Sequence, residues 1–216
     1  MPLATRHRAD AVPPLAPIDG LTVRRETSAA RMAALQGRTE QEMLARFTAG
    51  HRAWVAELAG APAAWGWVAT RVAEIGELKM AFSIPPDERY LWNFVTAPTH
   101  RGLGIYPRLL DAIVRAESGE ASRFWIAWAP ENHASGSGIG KAGFTLVAEL
   151  SFSTQGAAAV QGRAPSGAEA ARVFGVAEAE GALAPCWRCV RAGHATSCAA
   201  GSCRCDYQVP KSGCAA

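Results

Sequence analysis

The chain has 216 residues, 49% of them hydrophobic, with 22 basic side chains against 19 acidic ones. That length suits one domain with an appendage, and the apolar content can fill a sizeable core. A formal charge of +3 is too small to make nucleic acid the main partner, and no run of about 18 apolar residues predicts a membrane helix.

The opening MPLATRHRADAVPPLAPIDG scatters Arg, Asp and Pro and lacks the apolar run of a secretory signal. Residues 1–19 are therefore read as a flexible leader on a cytoplasmic protein. Leu21–Glu26 alternates like a half-buried strand. Between Ser28 and Gly50, Met32, Leu35, Met43, Leu44 and Phe47 predict one or two amphipathic helices, with Ser28 as a cap. His51–Leu58 and Ala63–Thr70 read as a hairpin turning at Gly60-Ala-Pro62. Residues 71–89 read as irregular. Tyr90–Thr96 is a nearly continuous β-forming run, suited to a strand buried on both faces.

After it comes THRGLGIYPRLL, residues 99–110, a glycine-rich loop at the mouth of a helix. Tyr106, Leu109, Leu110, Ile113 and Val114 form a helical stripe, with Asp111 and Arg115 outside it and paired in water. Arg123–Trp128 is a buried-type strand, 132–143 a short Gly/Ser-rich helix, and Phe144–Phe152 a long strand. This order gives an α/β unit preceded by a hairpin meander. Residues 153–185 are rich in Ala and Gly and read as a linker. Within it, Arg172–Val176 is a candidate last strand.

The first N–H groups of a helix lack internal partners, and a glycine-rich approach lets them close on a phosphate. Glycines at 102 and 104 permit the close approach, Arg101 adds charge, and Pro107 suits the first turn. The loop is neither GxGxxG nor a Walker loop, which disfavours nucleotide hydrolysis. The run Phe94–Ile105 resembles the pyrophosphate-binding motif of the GNAT acetyltransferase superfamily, Gln/Arg-x-x-Gly-x-Gly/Ala. Arg101 and Gly104 match it, and Tyr106 departs from its last position. Downstream, Asn132, Ser135, Gly143 and Phe144 resemble the same family's Asn-x-x-Ala/Ser helix. The resemblance covers residues 20–152.

It implies an α/β GNAT fold: a central mixed, mostly antiparallel sheet, splayed between its fourth and fifth strands and flanked by helices. It also implies an N-acyltransferase that moves an acetyl or other acyl group from acyl-CoA to an amine by direct attack. The amine belongs to a small molecule or a protein. By that resemblance Val95 and Thr96 hold the pantetheine arm, and Arg101, Gly102, Leu103, Gly104, Ile105 and Tyr106 surround the pyrophosphate. Asn132 and Ser135 line the cofactor's far side. The family's usual acid, a tyrosine seven residues after the asparagine, is here Ile139. Either another hydroxyl serves, with Tyr106 and Ser135 as candidates, or the thiolate leaves assisted by water, or catalysis has been lost; no base is nominated among Glu74, Glu77, Glu88 and His100. Trp92 is a candidate stacking surface for substrate. The alternative function is a non-catalytic acyl-CoA-binding sensor or adaptor, and a homodimer is left open.

All six cysteines fall between Cys186 and Cys214, which sets the tail 186–216 apart from the thiol-free domain, residues 20–180. Cys186, Cys189, Cys203 and Cys205 form a candidate structural zinc site, with His194 and Cys198 as substitutes. A redox-active or disulfide-bonded tail is the other reading.

Overall fold

The structure, a computed structural model, describes residues 1–12, 14–153, 157–162 and 165–179. Pro2–His7 is strand β1, which corrects the reading of 1–19 as a flexible leader. It pairs antiparallel on one side with the strand at 123–127 and on the other with the strand at 145–152. Leu3 and Ala4 are fully buried, and Arg6 is buried because it donates to Asp111 and to the Ala142 carbonyl. An arginine that looks solvated in the sequence is thus paired inside the fold through its Nη1, while its buried Nε has no partner among the described residues.

β2 (Leu21–Glu26) leads into α1 (Ala29–Gln36), whose first turn Ser28 caps by accepting from the Arg31 N–H. α2 (Glu40–Thr48) begins with a capping box, Thr39 and Glu42 each satisfying the other's backbone N–H. β3 (Arg52–Leu58) and β4 (Ala61–Ala69) form the expected hairpin. Its turn is Ala59-Gly60, both at positive φ, and Pro62 already belongs to β4. The stretch read as irregular contains β5 (Val72–Ile75), a 3-10 turn at Gly76–Leu78 and β6 (Met80–Ser83), a separate small hairpin.

β7 (Glu88–Thr96), α3 (Ile105–Glu117), β8 (Arg123–Ala127), α4 (His133–Lys141) and β9 (Thr145–Phe152) follow in the expected order. The predicted stripe of α3 packs inward, except that Tyr106 is only half-buried. Asp111 binds Arg115 at 2.8 Å as expected, and also binds Arg6. β10 (Ala158–Gly162), α5 (Ser166–Phe174) and β11 (Ala177–Glu178) complete the described chain. Arg172–Phe174 is therefore helical, not the candidate strand. Ala170, Val173 and Phe174 are buried at helical spacing.

The main sheet has nine strands in the order β11-β10-β9-β1-β8-β7-β4-β3-β2. Only β7–β8 and β10–β11 are parallel, so the sheet is mixed and mostly antiparallel. On one face α3 and α4 cover a core containing Leu91, Ile113 and Phe124. On the other, α1 and α2 lie over Trp65 and Trp67, while α5 and the small hairpin lie over Tyr90 and Trp125. A buried ion network ties α3 to the sheet: Glu117, 3% exposed, accepts from Arg89 at 3.2 Å and from Arg52. No helix among the described residues is long and apolar enough to cross a membrane.

Candidate functional site

β7 and β8 pair from Glu88↔Arg123 to Leu91↔Ile126, and the ladder stops there although β7 runs on to Thr96. β7 stays with β4 instead, across a register shift between Trp65 and Trp67, and Asn93 takes a left-handed φ of 53°. A bulge of this kind bends a strand and re-aims its side chains. The two parallel strands part beyond it, as the splayed sheet predicted.

Two cavities meet in the gap. The larger, about 650 Å³, is lined by Val95 and Thr96 on β7, the loop 100–104, the start of α3 and one face of α4. The smaller, about 390 Å³, lies against β5, the 3-10 turn, Tyr90 and Trp92. Phe94, Tyr106, Asn132 and Ser135 border both. Phe94 reaches this position because Gly66 opposite has no side chain, and a Cβ there would collide with its ring.

The loop leaves backbone amides open at a helix start. Gly102 and Gly104 sit at φ 80° and 72°, a conformation other residues adopt at a cost of about 1–2 kcal/mol. Gly104 is the N-cap of α3 and, having no side chain, leaves the first-turn N–H groups of Ile105 and Tyr106 uncapped. His100, Arg101 and Lys141 line the same cavity, and among the described residues no carboxylate does. The Arg101 Nε donates to the Thr96 carbonyl at 3.3 Å, which folds the loop back onto the strand.

Of the residues expected at a cofactor, Val95, Thr96, Arg101, Gly102, Gly104, Ile105, Tyr106, Asn132 and Ser135 all border the larger cavity. Leu103 does not, and its side chain is about half exposed. Asn132 caps α4, its side-chain oxygen accepting from the Ser135 N–H at 3.0 Å. Sequence reasoning missed Lys141, Gly138 and Ser137. They share an α4 face with Ala134 at spacings of three, four and seven, a periodic signal open to reading.

Ile139 is 1% exposed and packs in the core under α3. The side chain at that position faces away from the cleft. Tyr106 enters the cleft instead, its hydroxyl 3.4 Å from the Ser135 Oγ. Gly138 makes the room, since a Cβ there would stand 2.5 Å from the Tyr106 ring. Burial pushes the phenol up to about 12, and the Ser135 contact offsets this in part. Trp92 lines the smaller cavity, but Arg46 already stacks on its ring at 4.7 Å and His51 meets it edge-on. The cysteines expected to bind zinc, Cys186, Cys189, Cys203 and Cys205, lie outside the described residues.

The acetyltransferase (GNAT) family model matches residues 22–144, more than half of the chain. The chain belongs to the GNAT acetyltransferase family. No curated protein matches it in sequence. Solved GNAT structures resemble it in fold at low identity. A ribosomal-protein alanine N-acetyltransferase from Escherichia coli has 15% identity and a TM-score of 0.47, over 61% of this chain and 81% of that one. A GNAT acetyltransferase from Streptococcus pneumoniae has 16% identity and a TM-score of 0.45, over 60% and 88%. A GCN5-related N-acetyltransferase from Kribbella flavida has 18% identity and a TM-score of 0.41. That match covers 67% of this chain but only 53% of that chain. In this GNAT chain Tyr106 borders the cleft while Ile139 is buried in the core.

Proposed function

We propose that this chain is an acyl-CoA-dependent N-acyltransferase that transfers an acetyl or other acyl group directly to an amine. The observation that carries the reading is the pair of joined cavities at the parting of β7 and β8, one lined by basic side chains and uncapped helix amides. In it the N–H groups at the start of α3, with Arg101 and Lys141, hold the pyrophosphate. The bent end of β7, no longer paired with β8, offers backbone groups at Val95 and Thr96 to the pantetheine arm. Backbone N–H groups aimed at the thioester carbonyl stabilise the oxyanion as it forms.

The neutral amine nitrogen attacks the thioester carbon, the C–N bond forms, the C–S bond breaks, and CoA leaves as a thiolate. The amine proton passes to water. Tyr106 faces the departing sulfur and donates a hydrogen bond to it. Its phenol near 12 lies well above a thiol near ~8.5, so the resting balance favours a hydrogen bond to sulfur over full proton transfer.

Thiol release from acetyl-CoA across a panel of amines, with calorimetry of CoA binding, tests this. Amine-dependent release with 1:1 CoA binding is the expected result. CoA binding without release for any acceptor refutes the transferase reading, and absence of CoA binding refutes the cavity assignment.

A further inference from the structure

One cation sits behind the larger cavity rather than in its lining. Arg108, half-buried in the first turn of α3, does not border the cavity, and its guanidinium bonds two backbone carbonyls. Nη1 donates to the Gly104 carbonyl at 2.7 Å. Nε donates to the Ala16 carbonyl at 2.7 Å, and Nη2 donates to the same oxygen. Gly104 belongs to the glycine-rich loop, whereas Ala16 belongs to the segment joining β1 to β2, which precedes the family match at 22–144. The guanidinium reaches over the loop only because residue 104 has no side chain, since an added Cβ would stand 2.6 Å from Nη1.

The same segment is tied to both helices that wall the cavity. At its start, the Arg8 Nη1 donates to the carbonyl of Ser118, the C-cap of α3, at 3.1 Å. Val12 fills the space over Gly143, just past α4, where an added Cβ would collide with the Val12 methyls. Ile18 packs on the core under α3. The segment is a strap across α3 and α4, and Arg108 fastens it at the cavity end.

A peptide bond is planar and trans, so the Gly104 C=O and the Ile105 N–H point in opposite directions. A carbonyl pinned by Arg108 fixes the Ile105 N–H the other way, out of the helix N-terminus, where Ile105 borders the cavity. The Arg108 charge also adds to the positive end of the helix dipole. An amide held in place before a ligand arrives binds it with less ordering cost.

The geometry points to Arg108 as a positioning residue for the diphosphate of acyl-CoA. It stands outside the cavity and, braced by the strap, keeps the Gly104–Ile105 peptide aimed into it. This rests on the acyl-CoA reading above, and adds to it a residue beyond the glycine-rich loop and a segment beyond the family match.

The test uses the full chain, Arg108→Gln and two acetyl donors. Acetyl-CoA carries the diphosphate, and S-acetyl-N-acetylcysteamine carries only the thioester end. With an amine from the panel above, Arg108→Gln should raise the KM for acetyl-CoA about tenfold and keep kcat within about twofold. Its kcat/KM for the short donor should match wild type within about twofold, because that donor has no phosphate to hold. Calorimetry should show CoA affinity about tenfold weaker with pantetheine affinity unchanged, and this arm needs no acceptor. Arg108→Lys keeps the charge but not the fork that joins two carbonyls, and should weaken CoA about threefold. It carries the comparison if melting shows that Arg108→Gln does not fold. Wild-type KM for acetyl-CoA and wild-type CoA affinity in both variants overturn the proposal and leave the acyl-CoA reading standing. An equal loss with both donors also overturns it, since Arg108 then serves the fold alone. A wild-type chain that binds no CoA overturns the reading and the proposal together.

Discussion

Tyr106→Phe removes one oxygen from the junction of the two cavities and keeps the ring that packs against Phe94 at 5.7 Å. In the resting protein the loss is small, because the contact to Ser135 at 3.4 Å is long for O–H···O and is worth under about 1 kcal/mol. During transfer the loss is larger, because the phenol then faces a developing thiolate. A hydrogen bond to a charged group contributes about 1.5–3 kcal/mol, which predicts a kcat lower by roughly 10- to 150-fold. Acetyl-CoA affinity should stay within about twofold, since the contact strengthens only as charge appears on sulfur. Burial raises the phenol to about 12, so the donor keeps its proton below that pH. The kcat profile should therefore show no fall near pH 10, where an ordinary tyrosine titrates. Steady-state thiol release across pH, with melting temperature as a control, supplies all three readouts. A variant with wild-type kcat and an unchanged profile refutes the assignment and leaves Tyr106 as packing.

Gly104→Glu should abolish acetyl-CoA binding in calorimetry. It puts a carboxylate at the helix mouth, where an added Cβ would stand 2.6 Å from the Arg108 guanidinium, and the strained φ should lower stability by about 1–2 kcal/mol without unfolding the chain. Gly138→Leu should displace the Tyr106 ring and lower kcat at least as much as Tyr106→Phe, with melting temperature again as the control. His51 is pushed down to about 4 by burial, then by Arg46 and Arg71. Below its ordinary value near ~6.5 the unfolded chain binds a proton that the folded chain refuses, so stability present above that pH is lost as pH falls toward 4. Denaturant titrations should show a drop of about 1–3 kcal/mol over that window, flattened in His51→Gln. Glu117→Ala leaves Arg89 and Arg52 facing a buried gap and should cost about 3–5 kcal/mol by denaturation, against little for Glu120→Ala at the exposed rim of the same network.

Most of the central unit was legible because its signals are local. The α3 stripe repeats at helical spacing, Ser28 announces the start of α1, and the glycines at 102 and 104 mark a turn into a helix. Each depends on residues within one or two turns of one another. The residues lining the larger cavity were legible for the same reason, since loop and helix are contiguous in sequence. The small hairpin β5–β6 escaped because two four-residue strands alternate too briefly to stand out. Arg172–Phe174 misled because a short apolar run has no period of its own.

The sequence by itself determined a GNAT fold and most of the residues that line the larger cavity. Backbone geometry and side-chain spacing act over a few residues, and those terms can be read in order along the chain. Only the tertiary structure decided the rest. β1 belongs in the sheet because Leu3 meets Ala127 and Ala148, partners more than a hundred residues away. Ile139 turned from the cleft into the core, and Tyr106 entered the cleft through the space left by Gly138, a pairing between two helices that neither reveals alone. Glu74, Glu77 and Tyr90 border one cavity because β7 bends away from β8. Charge and packing act through space, so the smaller cavity exists only once the sheet has formed.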